Sequence, residues 1–224
     1  MVVLPRTAVL QLPSRSAGLQ SGVFFARGIS YLFHPLLLPT LGLFLLFNLQ
    51  AEGIWLWLPS SEWKWFIYAL TALSTFLMPA LVALALYKMK FISSLEMQTK
   101  EERRIPYITS AVFYFAASWL LMRWEVVPAL IKAMMLGYTL LVVCTLAINV
   151  FWKISAHMVG IGGICGMMIA ASFRLQADIH YVLIALFLVA GLVAFSRLRL
   201  NAHDPAQVYA GFLLGIFVQL FLYL

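Results

Sequence analysis

Charge is scarce in this chain: Asp, Glu, Lys and Arg make up 10% of its 224 residues, and eight of those are acidic. A soluble globular domain carries about 25% charged residues, so that class is excluded. Cysteine is scarcer still. Cys144 and Cys165 both fall inside apolar runs, which leaves no disulfide framework and no metal-ligand spacing. Internal repeats, low-complexity tracts and a second domain are also absent. What remains is apolar: 64% hydrophobic residues and a mean hydropathy of +0.97. Apolar runs near the length a helix needs to cross a bilayer recur along the chain. The composition therefore predicts an all-α polytopic membrane protein with about six to seven transmembrane helices. The net charge of +7 points to lipid headgroups and phosphates rather than nucleic acid, because the basic residues gather in the loops.

Residues 1–28 hold Arg6, Arg15 and Arg27 among scattered Ser, Gly and Pro, and read as a basic, mostly extramembrane N-terminal arm. Its apolar stretches are too short and interrupted for a signal peptide. Residues 29–224 read as a single transmembrane domain. Apolar segments are expected near 29–50, 64–88, 107–123, 127–151, 156–174, 179–196 and 206–224. His34-Pro35 and Pro39 should bend or delay the first helix. Trp55, Trp57, Trp63 and Trp65 form an interfacial aromatic belt. Gly162 with Gly166, and Gly211 with Gly215, are small-xxx-small pairs that let helices approach closely. Alternating sides puts eleven Lys and Arg with the N-terminus and four on the opposite side. By the positive-inside rule the N-terminal side would be cytoplasmic; the expected location is a bacterial inner membrane, with the side that carries the motif loops left open.

Three polar clusters interrupt the apolar pattern, all on the N-terminal side. The first, 100–106, contains Lys100, Arg104 and Pro106 and by itself is a solvated juxtamembrane charge run. The second, 153–157, contains Lys153, Ser155 and His157, with Ser155 placed to cap a helix. The third, 196–207, runs Ser-Arg-Leu-Arg-Leu-Asn-Ala-His-Asp-Pro-Ala-Gln. Asp204-Pro205 reads as an N-cap and first helical residue, so a helix should run from there to Leu224. That sets His203 beside a helix N-terminus, where spare N–H groups and the helix dipole favour an anion. Arg197 and Arg199 strengthen the preference, since forked guanidinium donors suit phosphate oxygens.

In order and spacing these clusters resemble the tripartite signature of the type 2 phosphatidic acid phosphatase superfamily, which also includes vanadium haloperoxidases. That signature is Lys-x6-Arg-Pro, Pro-Ser-Gly-His and Ser-Arg-x5-His-x3-Asp. Ser196, Arg197 and His203 match the third motif, with Gln207 in the aspartate slot. Ser155 and His157 match the second, with Ile154 and Ala156 replacing its proline and glycine. Lys100 and Arg104 stand closer than the first motif requires, and Ile105 separates Arg104 from Pro106. The likeness covers roughly residues 88–224 and implies a phosphatase-type helical core.

The resemblance implies that His203 is a nucleophile forming a phosphohistidine, oriented by Gln207. His157 would protonate the leaving alkoxide and then activate water. Lys100, Arg104, Arg197 and Ser155 would hold the phosphoryl oxygens, without metal or cofactor. The substrate would be a lipid phosphate monoester or diphosphate within the bilayer. The family places this site away from the cytoplasm, opposite to the side the charge bias indicates. An amide at position 207 cannot offer the imidazolium a negative charge, which favours the alternative of a non-catalytic binder of lipid phosphates. A small transporter ranks third, because the charges sit at segment ends rather than within the segments. His34 and His180 have no matched partners and read as structural or interfacial. Asn149 is placed to bond a neighbouring helix or approach the pocket.

Overall fold

A computed structural model describes residues 15–48 and 60–223. Those residues form helices joined by short turns and one longer loop, with no strand among them. In chain order the helices are α1 (Arg15–Leu32), α2 (Leu38–Phe47), α3 (Ser61–Ala72), α4 (Met78–Lys88), α5 (Arg104–Met122), α6 (Ala129–Phe151), α7 (Ala156–Leu175), α8 (His180–Arg199) and α9 (Pro205–Tyr223). Six helical stretches are long and apolar enough to cross a membrane: Ser61–Lys88 and the helices α5 to α9.

The expected first segment, 29–50, is not one helix. α1 ends at Leu32, and the chain turns through His34-Pro35 before α2 begins with Pro39 in its first turn. Proline lacks the N–H that a continuing helix would use, so the break falls where the two prolines put it. α2 has ten residues, a length of about 15 Å, which is half of a ~30 Å hydrocarbon layer. The expected boundary at residue 28 is not a structural one either, since α1 runs across it from Arg15 and packs against α8. Residues 1–14, with Arg6, lie outside the described residues, as do Trp55 and Trp57. Trp63 does lie at one end of the bundle, edge-on to Trp124 at 5.5 Å between ring centroids.

α3 and α4 form one long span through a π-helical turn, Leu73–Leu77. Pro79 cannot donate to the carbonyl of Thr75 four residues back. The Tyr114 hydroxyl on α5 donates to that carbonyl instead, at 3.2 Å. The Thr75 hydroxyl in turn donates to the Leu36 carbonyl, at 3.3 Å. A local ladder defect is thereby converted into two contacts between elements.

The centre of the bundle is α7. In its most apolar window 78% of the residues are buried, against 22–44% in the other spans. Its closest neighbour is α9. A Cβ on Gly162 or Gly166 would run into the main-chain carbonyls of Phe212 and Ile216, and one on Gly211 would lie 2.8 Å from the carbonyl of Ser155. The two small-xxx-small patterns therefore face each other and bring the backbones of α7 and α9 into contact.

Candidate functional site

The seam between α7 and α9 ends in a polar cluster. α8 terminates with Asn201 at φ 48 and with the Ala202 N–H donating to the Arg197 carbonyl at 3.1 Å. α9 starts with the Gln207 N–H donating to the Asp204 carboxylate at 2.9 Å, the expected N-cap. Between the two helices His203 turns inward and is 8% exposed. Its Nδ1 lies 2.8 Å from Gln207 Oε1. A carboxamide oxygen only accepts, so the proton sits on Nδ1 and Nε2 carries the free lone pair. The Ser155 N–H donates to the main-chain carbonyl of Gln207 at 3.4 Å, tying the start of α7 to the start of α9.

His157, in the first turn of α7, repeats this arrangement with the nitrogens exchanged. Its Nε2 lies 3.1 Å from the main-chain carbonyl of Ser30 on α1. That oxygen is also acceptor only, which fixes the proton on Nε2 and leaves Nδ1 free. The same residue reaches the third cluster: Arg197 Nη1 donates to the Ser30 hydroxyl at 3.2 Å. His34 packs edge-on against His157, 5.6 Å between ring centroids. Two buried donors here have no hydrogen-bond partner within the protein, Arg197 Nε and the hydroxyl of Ser155. Buried polar groups are normally satisfied, so a pair of orphan donors beside two histidines marks a place for acceptor oxygens.

The first cluster enters differently from the expectation. Arg104 is exposed at the start of α5, and Lys100 donates from Nζ to the Val150 carbonyl at 3.1 Å, near the C-terminal end of α6. Asn149 holds the same loop by donating to the Lys100 carbonyl at 2.7 Å. Neither Lys100 nor Arg104 is among the groups whose charge is felt at His203, whereas Arg103 is. Arg103 is 6% exposed and donates from Nε to the Met97 carbonyl at 2.9 Å. Its charge also reaches Lys153 and the Tyr107 hydroxyl. The reason is helical phase. Pro106, Ser110, Tyr114 and Ala117 are the buried stripe of α5, and stepping back along it reaches 103 rather than 104.

Burial first, and then the Arg103 charge, push the His203 pKa down to about 4, with Arg197 and Lys153 acting in the same direction. The Gln207 bond opposes them. The ammonium of Lys153 is destabilised by burial and by the like charges of Arg103 and Arg197. Cations crowd this end of the bundle, and Glu96 is the acid whose charge reaches Arg197. Such a pocket attracts an anion and keeps His203 neutral, with a bare Nε2, until one arrives. Among the described residues no group of three or more His, Cys, Asp or Glu is placed to hold a metal.

The structure thus brings together five of the seven residues expected from the sequence: Ser155, His157, Arg197, His203 and Gln207. Lys100 is bonded to the Val150 carbonyl and Arg104 is exposed. Sequence reasoning missed Ser30 and Arg103. The α5 stripe was a usable signal for Arg103; for Ser30, within the supposed arm, there was none. His180 lies at the other end of the bundle, exposed and paired with Asp178. Compared with models of known families, with curated proteins and with solved structures, the chain matches none.

Proposed function

We propose that this chain is an integral-membrane phosphatase that hydrolyses a lipid phosphate monoester or diphosphate through a phosphohistidine on His203. The observation that carries the reading is the pair of oriented histidines beside the orphan donors Arg197 Nε and Ser155 Oγ. The motif resemblance to the type 2 phosphatidic acid phosphatase superfamily supports the same chemistry. In this reading Arg103, Arg197 and Lys153 draw the phosphate in. Arg197 and Ser155 direct donors at its oxygens.

His203 Nε2 attacks phosphorus in line as the phosphorus–alkoxide bond breaks. The alkoxide takes a proton from Nδ1 of His157, whose charged form the bound phosphate stabilises. Water then attacks the phosphohistidine, giving its proton back to His157 Nδ1, and the nitrogen–phosphorus bond breaks to regenerate His203. Gln207 holds the ring throughout but leaves the imidazolium without a carboxylate partner. That neutral partner specifically favours the second reading, a lipid-phosphate binder without turnover.

The test is phosphate release from a panel of lipid phosphates in detergent without added metal, wild type against His203→Ala. Release should fall by at least about 10³-fold in the variant, as for loss of a covalent nucleophile. Equal release from both proteins would end the phosphohistidine reading. Lipid-phosphate binding without any release would establish the binder.

A further inference from the structure

A crevice runs down from this cluster between α5, α6 and α7, with the α1–α2 turn along one edge. Its walls include Leu36, Tyr114, Leu141, Val142, Thr145 and Val159. Three further wall residues mark the end of the crevice nearest the cluster. Pro35, Tyr107 and Ala156 line it, and each stands within a few residues of a member of the cluster: His34, Arg103 and His157. The Arg103 charge reaches the Tyr107 hydroxyl.

Two polar groups on the walls are already engaged. Ser110 donates to the Pro106 carbonyl at 2.7 Å and Tyr114 to the Thr75 carbonyl at 3.2 Å. The surface that the crevice exposes is mostly apolar, although Tyr107, Tyr138 and Thr145 also stand on its walls. Its depth follows from the helices: Tyr107 to Tyr114 and Thr145 to Tyr138 are each seven residues, about 10 Å of rise. That is roughly two-thirds of one leaflet's ~15 Å of hydrocarbon, half of a ~30 Å layer.

We propose that this crevice seats one hydrocarbon chain of the lipid whose phosphate occupies the Arg103–Arg197–His203 cluster. The assignment rests on the lipid-phosphate reading of that cluster. Two observations choose the occupant. One end of the crevice is lined by residues that stand within a few positions of the cluster, whose cations need an anionic headgroup, and the crevice leads from there into the apolar interior of the bundle without a charged residue on its walls. A sugar or peptide would leave its polar groups unpaired along those walls.

The experiment uses the full chain in phosphatidylcholine vesicles with a single-chain alkyl phosphate bearing a diazirine at mid-chain. Irradiation should label crevice residues of α5 to α7, and the matching alkyl phosphocholine probe should not. Val142→Trp, which fills the crevice without touching the cluster, should cut that labelling at least about tenfold, a loss of ~1.4 kcal/mol in occupancy. Labels confined to outward-facing residues such as Val112 and Phe115, 61% and 60% exposed, would overturn the proposal with no variant needed. Equal labelling by the phosphocholine probe would overturn its link to the cations. Crevice labelling with no phosphate release would keep the chain site while the phosphatase reading fell. Release with no crevice labelling would do the reverse.

Discussion

The α7–α9 seam and the loop between α4 and α5 deliver polar groups to one cluster by opposite means. At the seam two helices touch through glycine, so Ser155, His157, His203 and Gln207 are positioned by backbone against backbone. In the loop, placement depends on side chains. Glu102 accepts from the Ser93 N–H at 2.6 Å, and Arg103 reaches inward by bonding the Met97 carbonyl. A rigid seam tolerates no added atom but needs few polar contacts. A loop tolerates substitution almost everywhere, but depends on the few side chains that point in.

The contrast breaks most severely at Gly215, where a Cβ would run into the carbonyl of Val159 and the backbone of Gly162 and Gly163. Backbone cannot move aside as a flexible side chain can. Gly215→Val should therefore cost on the order of 3 kcal/mol or more, above the usual range for overpacking. Thermal unfolding in detergent would read this as a large drop in midpoint together with loss of phosphate release. An unchanged midpoint would mean that the seam is not the rigid half of the comparison. Gly28, with open space where a Cβ would go, is the matched control for a glycine replacement.

In the loop the same comparison predicts a sharp difference between neighbours. Arg103→Gln removes a buried cation and its hydrogen bond, worth about 1.5–3 kcal/mol, so phosphate release should fall roughly 10–100-fold. Arg104→Gln changes an exposed side chain and should stay within about 0.5 kcal/mol, near twofold. The kinetics of the two variants on one lipid phosphate decide it. Equal effects would mean that the loop acts only through its overall charge.

These two regions also show what the amino-acid order made legible. The glycine spacing, the Asp204-Pro205 helix start and the His203–Gln207 spacing are local features, and local geometry carries each of them into the fold. The choice between Arg103 and Arg104 depends on which face of α5 meets the bundle. That was readable from the phase of Pro106, Ser110 and Tyr114, but not from the charge run itself. Ser30 was not readable at all. It acts through a main-chain carbonyl and a hydroxyl brought to His157 and Arg197 across separations of 127 and 167 residues, and such contacts are set by packing rather than by pattern.

The finest test of the seam lies in pH. His203 has a folded pKa of about 4 against 6.5 for the unexposed-to-fold reference state. Between those values the unfolded chain binds the proton and the folded chain does not. Stability should therefore fall as pH drops from about 6.5 towards about 4, and the contribution is fully present only above the unfolded pKa. His34, also lowered to about 4 by burial and Arg197, works in the same direction and sets the background slope. Gln207→Glu would place a carboxylate oxygen where the amide oxygen now lies, 2.8 Å from Nδ1. An opposite charge at that range raises a histidine pKa by about 1–3 units. The folded value would approach or pass the unfolded one, and the acid loss should shrink by about 1.36 kcal/mol for each unit regained. Unfolding midpoints at about pH 5 and about pH 7.5 should accordingly lie closer together in Gln207→Glu than in the wild type. An unaltered gap would mean that His203 is held neutral by something other than its burial, its cations and its uncharged partner.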